Sequence, residues 1–194
     1  MALSNLTRAC GSQLPPGTEL DLYFTLEEEL AAWPDTQWQV TTDASGTPVQ
    51  GDLKRIGEAF DFTGAGTDLG FWRKVKILVD TGNVRDLIEG EVGGLTVRSR
   101  LDFFIQGMNA EALEWGDELM SYSGCIIAMV PLKGGEYVVL GNQANPCFVE
   151  SGEGGSGAGT GDRVGHQYTL VCNTGFMPML YDADTLGIDI TPEA

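Results

Sequence analysis

Few residues in this chain have the type and spacing that catalysis needs. His166 is the single histidine, so any Ser-His-Asp or Cys-His relay would have to run through it. It stands between Gly165 and Gln167 in a strand-like run, with no nucleophile elbow beside it, and a general base needs positioning partners that this stretch does not offer. Cys10, Cys125, Cys147 and Cys172 lie far apart, with no C-x-x-C and no histidine pair. That argues against a zinc site and against a disulfide framework in a chain of this length. Cys125 and Cys172 fall in apolar runs, where cysteine behaves as a small hydrophobe. Asp182, Asp184, Gly187 and Glu193 match positions one, three, six and twelve of a calcium loop. Leu186 stands where a fifth-position oxygen belongs, and no helices flank the stretch, so an acidic tail is the simpler reading. Residues 151–162 are rich in glycine but hold no G-x-x-x-x-G-K-[ST], and read as a flexible linker, not a phosphate loop. The expectation is a protein without catalysis, cofactor or metal.

The remaining chemistry is charge. Asp and Glu number 28 against 11 Lys and Arg, a formal net charge of −17. Such a surface repels nucleic-acid phosphates and excludes sequence-reading of DNA. Against that background Arg73, Lys74, Lys76, Arg98 and Arg100 cluster within one short region. Cross-strand pairing with Glu89, Glu91 and Asp102 is one account of them. The other is a basic patch that meets an acidic patch on a neighbouring subunit. Glu111, Glu114, Asp117 and Glu118 are the natural acidic partners, because they crowd one short helix with no lysine among them. As a metal or glycosidase pair these acids lack a second converging element, and a solvated face is the better reading.

Residues 71–119 position most of these charges. They read strand, tight turn, strand, second turn, long strand and one helix. In 71–80, Phe71, Val75, Ile77 and Val79 share one face and Trp72, Lys74, Lys76 and Leu78 the other. Thr81, Gly82 and Asn83 turn the chain into 84–92, and Gly93-Gly94 turns it into 95–105. There Leu95, Val97, Ser99, Leu101, Phe103 and Ile105 alternate with Thr96, Arg98, Arg100, Asp102 and Phe104, the pattern of a half-buried antiparallel meander. Asn109 caps a helix that should reach Met120, with Ala112, Leu113, Gly116, Leu119 and Met120 on its apolar side.

Residues 124–132 are apolar on both faces and predict a central, doubly buried strand. Shorter strands are expected at 19–26, 37–41, 58–62, 136–140, 146–150, 164–172 and 174–181. A helical turn at 27–33 should stop at Pro34. Residues 41–70 form a hairpin-like excursion. This gives one mainly β domain over 19–181, an N-terminal arm at 1–18 and an acidic tail at 182–194. No signal-peptide core and no membrane-length run is present, so a soluble protein of a reducing cytoplasm, with no membrane partner, is expected.

The order of these parts resembles the tail tube (major tail) proteins of long, non-contractile-tailed bacteriophages. The likeness is carried by Glu91-Val-Gly-Gly-Leu-Thr-Val, the strand ending Asp102-Phe-Phe-Ile-Gln-Gly, the helix at 109–120, the run 125–132, Glu136-Tyr-Val-Val-Leu-Gly and Gln167-Tyr-Thr-Leu-Val. The resemblance implies an antiparallel β-sandwich or partial barrel with one flanking α-helix. It implies a virion protein, made in the host bacterial cytoplasm, whose copies form stacked, hexameric rings. Its partners would be its own copies, other tail proteins such as the tape measure and terminator, and DNA passing without sequence-specific contact. Residues 41–70 would then be the inter-ring loop and the two termini the arms. Arg98 and Arg100, or Lys74 and Lys76, would face the lumen or a neighbour. The alternative class is a binding module: a capsid decoration protein, a baseplate component or a carbohydrate-binding β-sandwich. A sugar binder needs exposed aromatics, and Trp33, Trp38, Trp72 and Trp115 form no obvious cluster.

Overall fold

The computed structural model describes residues 17–34, 55–64, 70–91, 93–157 and 162–188. Most of the N-terminal arm, the strand expected at 37–41, much of the 41–70 excursion and the end of the acidic tail lie outside these residues. The described chain is mainly β, and none of its sheets closes into a barrel.

The central strand is the most directly explained element. Strand β8 (Ile126–Pro131) carries six residues, all buried, because its uninterrupted apolar run offers no face to water. It sits inside a six-stranded sheet ordered β3-β12-β9-β8-β1-β5. The partners are β1 (Asp21–Leu26), β3 (Arg55–Ile56), β5 (Arg73–Lys76), β9 (Tyr137–Leu140) and β12 (Met179–Tyr181). One face of this sheet packs Ile127, Met129 and Val139 against Phe60, Phe62, Trp72 and Tyr181. A two-stranded sheet of β2 (Leu30–Ala32) and β4 (Asp61–Phe62) contributes to that layer.

The other face shares a core with a four-stranded antiparallel sheet, β10-β11-β7-β6. Its strands are β6 (Asn83–Glu89), β7 (Thr96–Gln106), β10 (Phe148–Gly155) and β11 (Gly165–Thr174). Leu22, Phe24, Ala128 and Val130 meet Leu101, Phe103, Tyr168 and Leu170 there. Burying a Phe or Leu side chain contributes about 1.5–3 kcal/mol, so this joint stabilises most of the described fold.

The sequence meander is split between the two sheets. Strand β5 pairs with β1, not with β6. The transfer takes one residue: the Ile77 amide donates to the Leu20 carbonyl at 2.8 Å, and the Leu78 amide to the Phe104 carbonyl at 2.9 Å. Asp80 has φ 59, and a Cβ on Gly82 would stand 1.9 Å from Thr18 Oγ1, so this corner needs a glycine at 82.

Helix α1 (Ala110–Ser121) starts where its cap predicts, with the Ala112 amide donating to Asn109 Oδ1 at 3.0 Å. Its inward side holds Ala112, Trp115, Gly116 and Leu119. Leu113 and Met120, expected on that side, are 45% and 57% exposed. The reason is Trp115, which takes the core position between Phe24, Phe103 and Tyr168. Gly116 is required because the Tyr168 hydroxyl stands 2.4 Å from where a Cβ would be.

The glycine-rich run corrects the linker reading. Residues 151–155 continue β10 as an edge strand. Gly152 and Gly154 lie opposite Tyr168 and His166. A Cβ on Gly154 would fall 2.1 Å from the His166 ring. The aromatic rings of β11 thus cover a strand that has few side chains of its own. The expected turn at 27–33 is a 3-10 turn at Glu27–Glu29 that runs into β2. Residues 183–186 form a short helix, α2, and Leu186 and Ile188 pack on the core, so the tail begins as docked structure.

Candidate functional site

The described chemistry concentrates on the outer face of the four-stranded sheet. Alternation along β7 sends Arg98, Arg100 and Asp102 outward while Ser99, Leu101 and Phe103 enter the core. Pairing with β6 sets Arg85 directly opposite Arg100, an arrangement that like charges oppose. Asp102 resolves it. Its carboxylate accepts from Arg85, from Arg100 Nε at 2.8 Å and from Thr169 Oγ1 at 2.7 Å. Burial raises the Asp102 pKa, and the hydrogen bonds from Thr169, Arg100 and Arg85 more than offset this, leaving it below the ordinary carboxylate value.

Glu150 is the second anion. A register shift between Val149 and Ser151 makes it the extra residue of a bulge in β10, which aims its side chain over the sheet. It pairs with Arg98 and stands 3.6 Å from Arg100. Three arginines and two carboxylates thereby join β6, β7 and β10, and Thr169 adds β11. Of the cross-strand partners the sequence offered, Asp102 pairs with Arg100 while Glu89 and Glu91 hold no ion pair among the described residues, and Arg85 and Glu150 were missed. The signal for Glu150 was a lone acid between an apolar pair and a glycine run.

The other basic residues sit on a different sheet, so the five sequence candidates do not form one patch. Arg73 makes a two-pronged bond to Glu29 at 2.6 and 2.7 Å and lies 4.6 Å from the Phe71 ring centroid. Its pKa is raised, first by the Glu29 hydrogen bonds and against burial, with Glu118 adding attraction. Glu29 is lowered in turn: burial raises it, and the Arg73 bonds and charge outweigh that. Lys74 reaches Asp21 at 2.9 Å. Of the described lysines and arginines, all but Lys76 and Arg163 hold a described carboxylate within 4 Å.

Glu111, Glu114, Asp117 and Glu118 are exposed on α1, and none has an ion pair among the described residues. Arg73 and Glu118 line the same small crevice, of about 50 Å³, with Phe24, Trp115 and Tyr122. This is the one place where the structure brings a basic candidate and a helix acid together, and it does so within a single subunit.

The remaining candidates carry structure. His166 stacks on Tyr168 with ring centroids 6.1 Å apart. Asp182 caps α2, accepting from the Thr185 amide at 3.2 Å, and Glu193 lies outside the described residues. Among the described residues no group of three His, Cys, Asp or Glu is placed to hold a metal, and no helix is long and apolar enough to cross a membrane. Trp72 is buried, Trp115 and Trp33 pack against other rings, and Trp38 lies outside the described residues. No protein-family model, curated protein or solved structure matches the chain.

Proposed function

We propose that this protein is a self-assembling virion component, a tail tube subunit whose copies form stacked, hexameric rings with the six- and four-stranded sheets arranged as a β-sandwich. The observation that carries the reading is the pair of free edges on the four-stranded sheet. Strands β6 and β10 close its two sides and have no further strand beyond them among the described residues. Both are long, at seven and eight residues, and almost wholly exposed. Leu87 and Ile88 on β6 are 55% and 59% exposed. A long, exposed, partly apolar edge is a template for another strand, and a ring of copies satisfies every such edge at once.

The charge distribution supports passage of DNA through such a tube. Arg98 and Arg100 are neutralised by Glu150 and Asp102, so even a lumen lined by this face would present few free cations to phosphates. Tape measure and terminator proteins are the partners this reading calls for. The carbohydrate-binding alternative is less well supported, since the described tryptophans are engaged with other side chains.

Negative-stain electron microscopy of the purified full chain at high concentration tests the proposal. Rings or stacked tubes are expected. A chain that remains monomeric there, and also with other tail components added, overturns it.

A further inference from the structure

The fold brings together two cysteines that the sequence holds far apart. Cys147 sits where the chain leaves the six-stranded sheet for the four-stranded one. Its amide donates to the Ile126 carbonyl at 2.7 Å, and the next residue, Phe148, pairs with Val171. One further step of that antiparallel register places Cys147 beside Cys172. Both side chains are 1% exposed and belong to the core shared by the sheets. Neighbours across an antiparallel pair have Cβ atoms about 4.5–5.5 Å apart, and a disulfide needs about 3.5–4.5 Å, so closure asks for a small movement.

We propose that Cys147 and Cys172 are a modification site: on exposure to a small-molecule disulfide they close into a bond that staples the two sheets together. Cys172 is the first nucleophile. Its pKa is lowered, first by the Cys147 thiol beside it and against burial, with the Gly141 backbone adding to this. A small crevice of about 10 Å³ lined by Ser99, Gly141, Phe176 and Pro178 touches it, so the oxidant reaches Cys172 only as this wall opens. The Cys172 thiolate attacks one sulfur of the oxidant, forms a mixed disulfide and releases one thiolate. The Cys147 sulfur then attacks Cys172, the mixed disulfide breaks and a second thiolate leaves. Two cysteine thiols are oxidised, one external disulfide is reduced to two thiols, and the two cysteine protons end on the released sulfurs. A reducing cytoplasm keeps the pair open, and release from the cell closes it. This holds whatever the chain assembles into.

The test uses the reduced full chain, incubated with oxidised glutathione, then denatured, alkylated and mass-analysed. The expected product is lighter than the reduced chain by two hydrogen atoms before alkylation, and proteolysis yields one peptide pair joined through Cys147 and Cys172. The thermal midpoint should rise by about 5–10 °C and fall back with reductant. Cys125→Ala should keep both changes, and Cys172→Ala should lose both. Full alkylation of Cys147 and Cys172, a glutathione adduct that stays on Cys172, or a bridge to Cys10 or Cys125 overturns the proposal. The wild-type peptide map decides the matter even where Cys172→Ala fails to fold.

Discussion

The outer face of the four-stranded sheet and the exposed side of α1 are both densely charged, and they use charge in opposite ways. On the sheet, Arg85, Arg98, Arg100, Asp102 and Glu150 close their pairs inside the subunit and link three of its strands. On the helix, Glu111, Glu114, Asp117 and Glu118 have no ion-pair partner among the described residues. Like charges three and four apart on a helix repel, so these acids work against the element that carries them. The sheet's charges therefore act in folding, and the helix's charges act toward whatever lies outside. A neighbouring copy cannot complement the helix with Arg98 or Arg100 unless those arginines abandon Glu150 and Asp102. Lys76 and Arg163 are the described cations that could approach without such an exchange.

The sharpest way to break this contrast is Asp102→Ala. Asp102 is 7% exposed, and its loss strands Arg85 and leaves Arg100 and the buried Thr169 hydroxyl with only their longer contacts, at 3.6 Å to Glu150 and 3.3 Å to each other. Both arginines reach water, which discounts the cost of a buried unpaired charge. The expected destabilisation is about 2–3 kcal/mol, read from the midpoint of denaturant unfolding. A variant as stable as the parent would show that the sheet network, like the helix acids, lies outside the folding free energy.

Acid probes the same joint more gently. Asp102 and Glu29 have pKa values lowered by folding. Such groups contribute stability that is present above the unfolded carboxylate pKa and lost as pH falls through the folded one. Thermal midpoints should therefore hold near neutrality and fall as pH drops below about 4. Asp102→Asn should flatten part of that fall. An identical acid profile in parent and variant would mean that Asp102 gains nothing from its partners.

How much of this was legible in the sequence depends on range. Strand β8 was readable because an unbroken apolar run states its own burial, and α1 because Asn109 announces its start. The alternation within 96–105 was legible, while Val79 and Leu95, expected on inner faces, are 56% and 59% exposed; alternation also does not name a partner, so the jump between sheets at Ile77 and Leu78 was invisible. The glycine run became a strand through rings sixteen and twelve residues away in sequence, at Tyr168 and His166, opposite Gly152 and Gly154. Bound to that same register are Glu150 and the Cys147–Cys172 pair. Each is a property of how β10 meets β11 and β7, and no local spacing encodes it.

The helix side of the contrast predicts a small effect, and that smallness is its content. Glu114→Lys together with Asp117→Lys removes two exposed acids and places cations among the remaining Glu111 and Glu118. Relief of repulsion at three- and four-residue spacing favours the helix, and new exposed pairs add little. Subunit stability should stay within about 0.5 kcal/mol of the parent, with any change toward greater stability. The same substitution cancels the net negative charge of these four positions, on a surface that forms no described ion pair inside the subunit. Its effect should thus appear in assembly, as an altered salt dependence of polymer formation measured by light scattering. A loss of more than about 1 kcal/mol in the isolated subunit would place these acids among the fold's own contacts. The division between a sheet that spends its charge inward and a helix that keeps it outward would then fail.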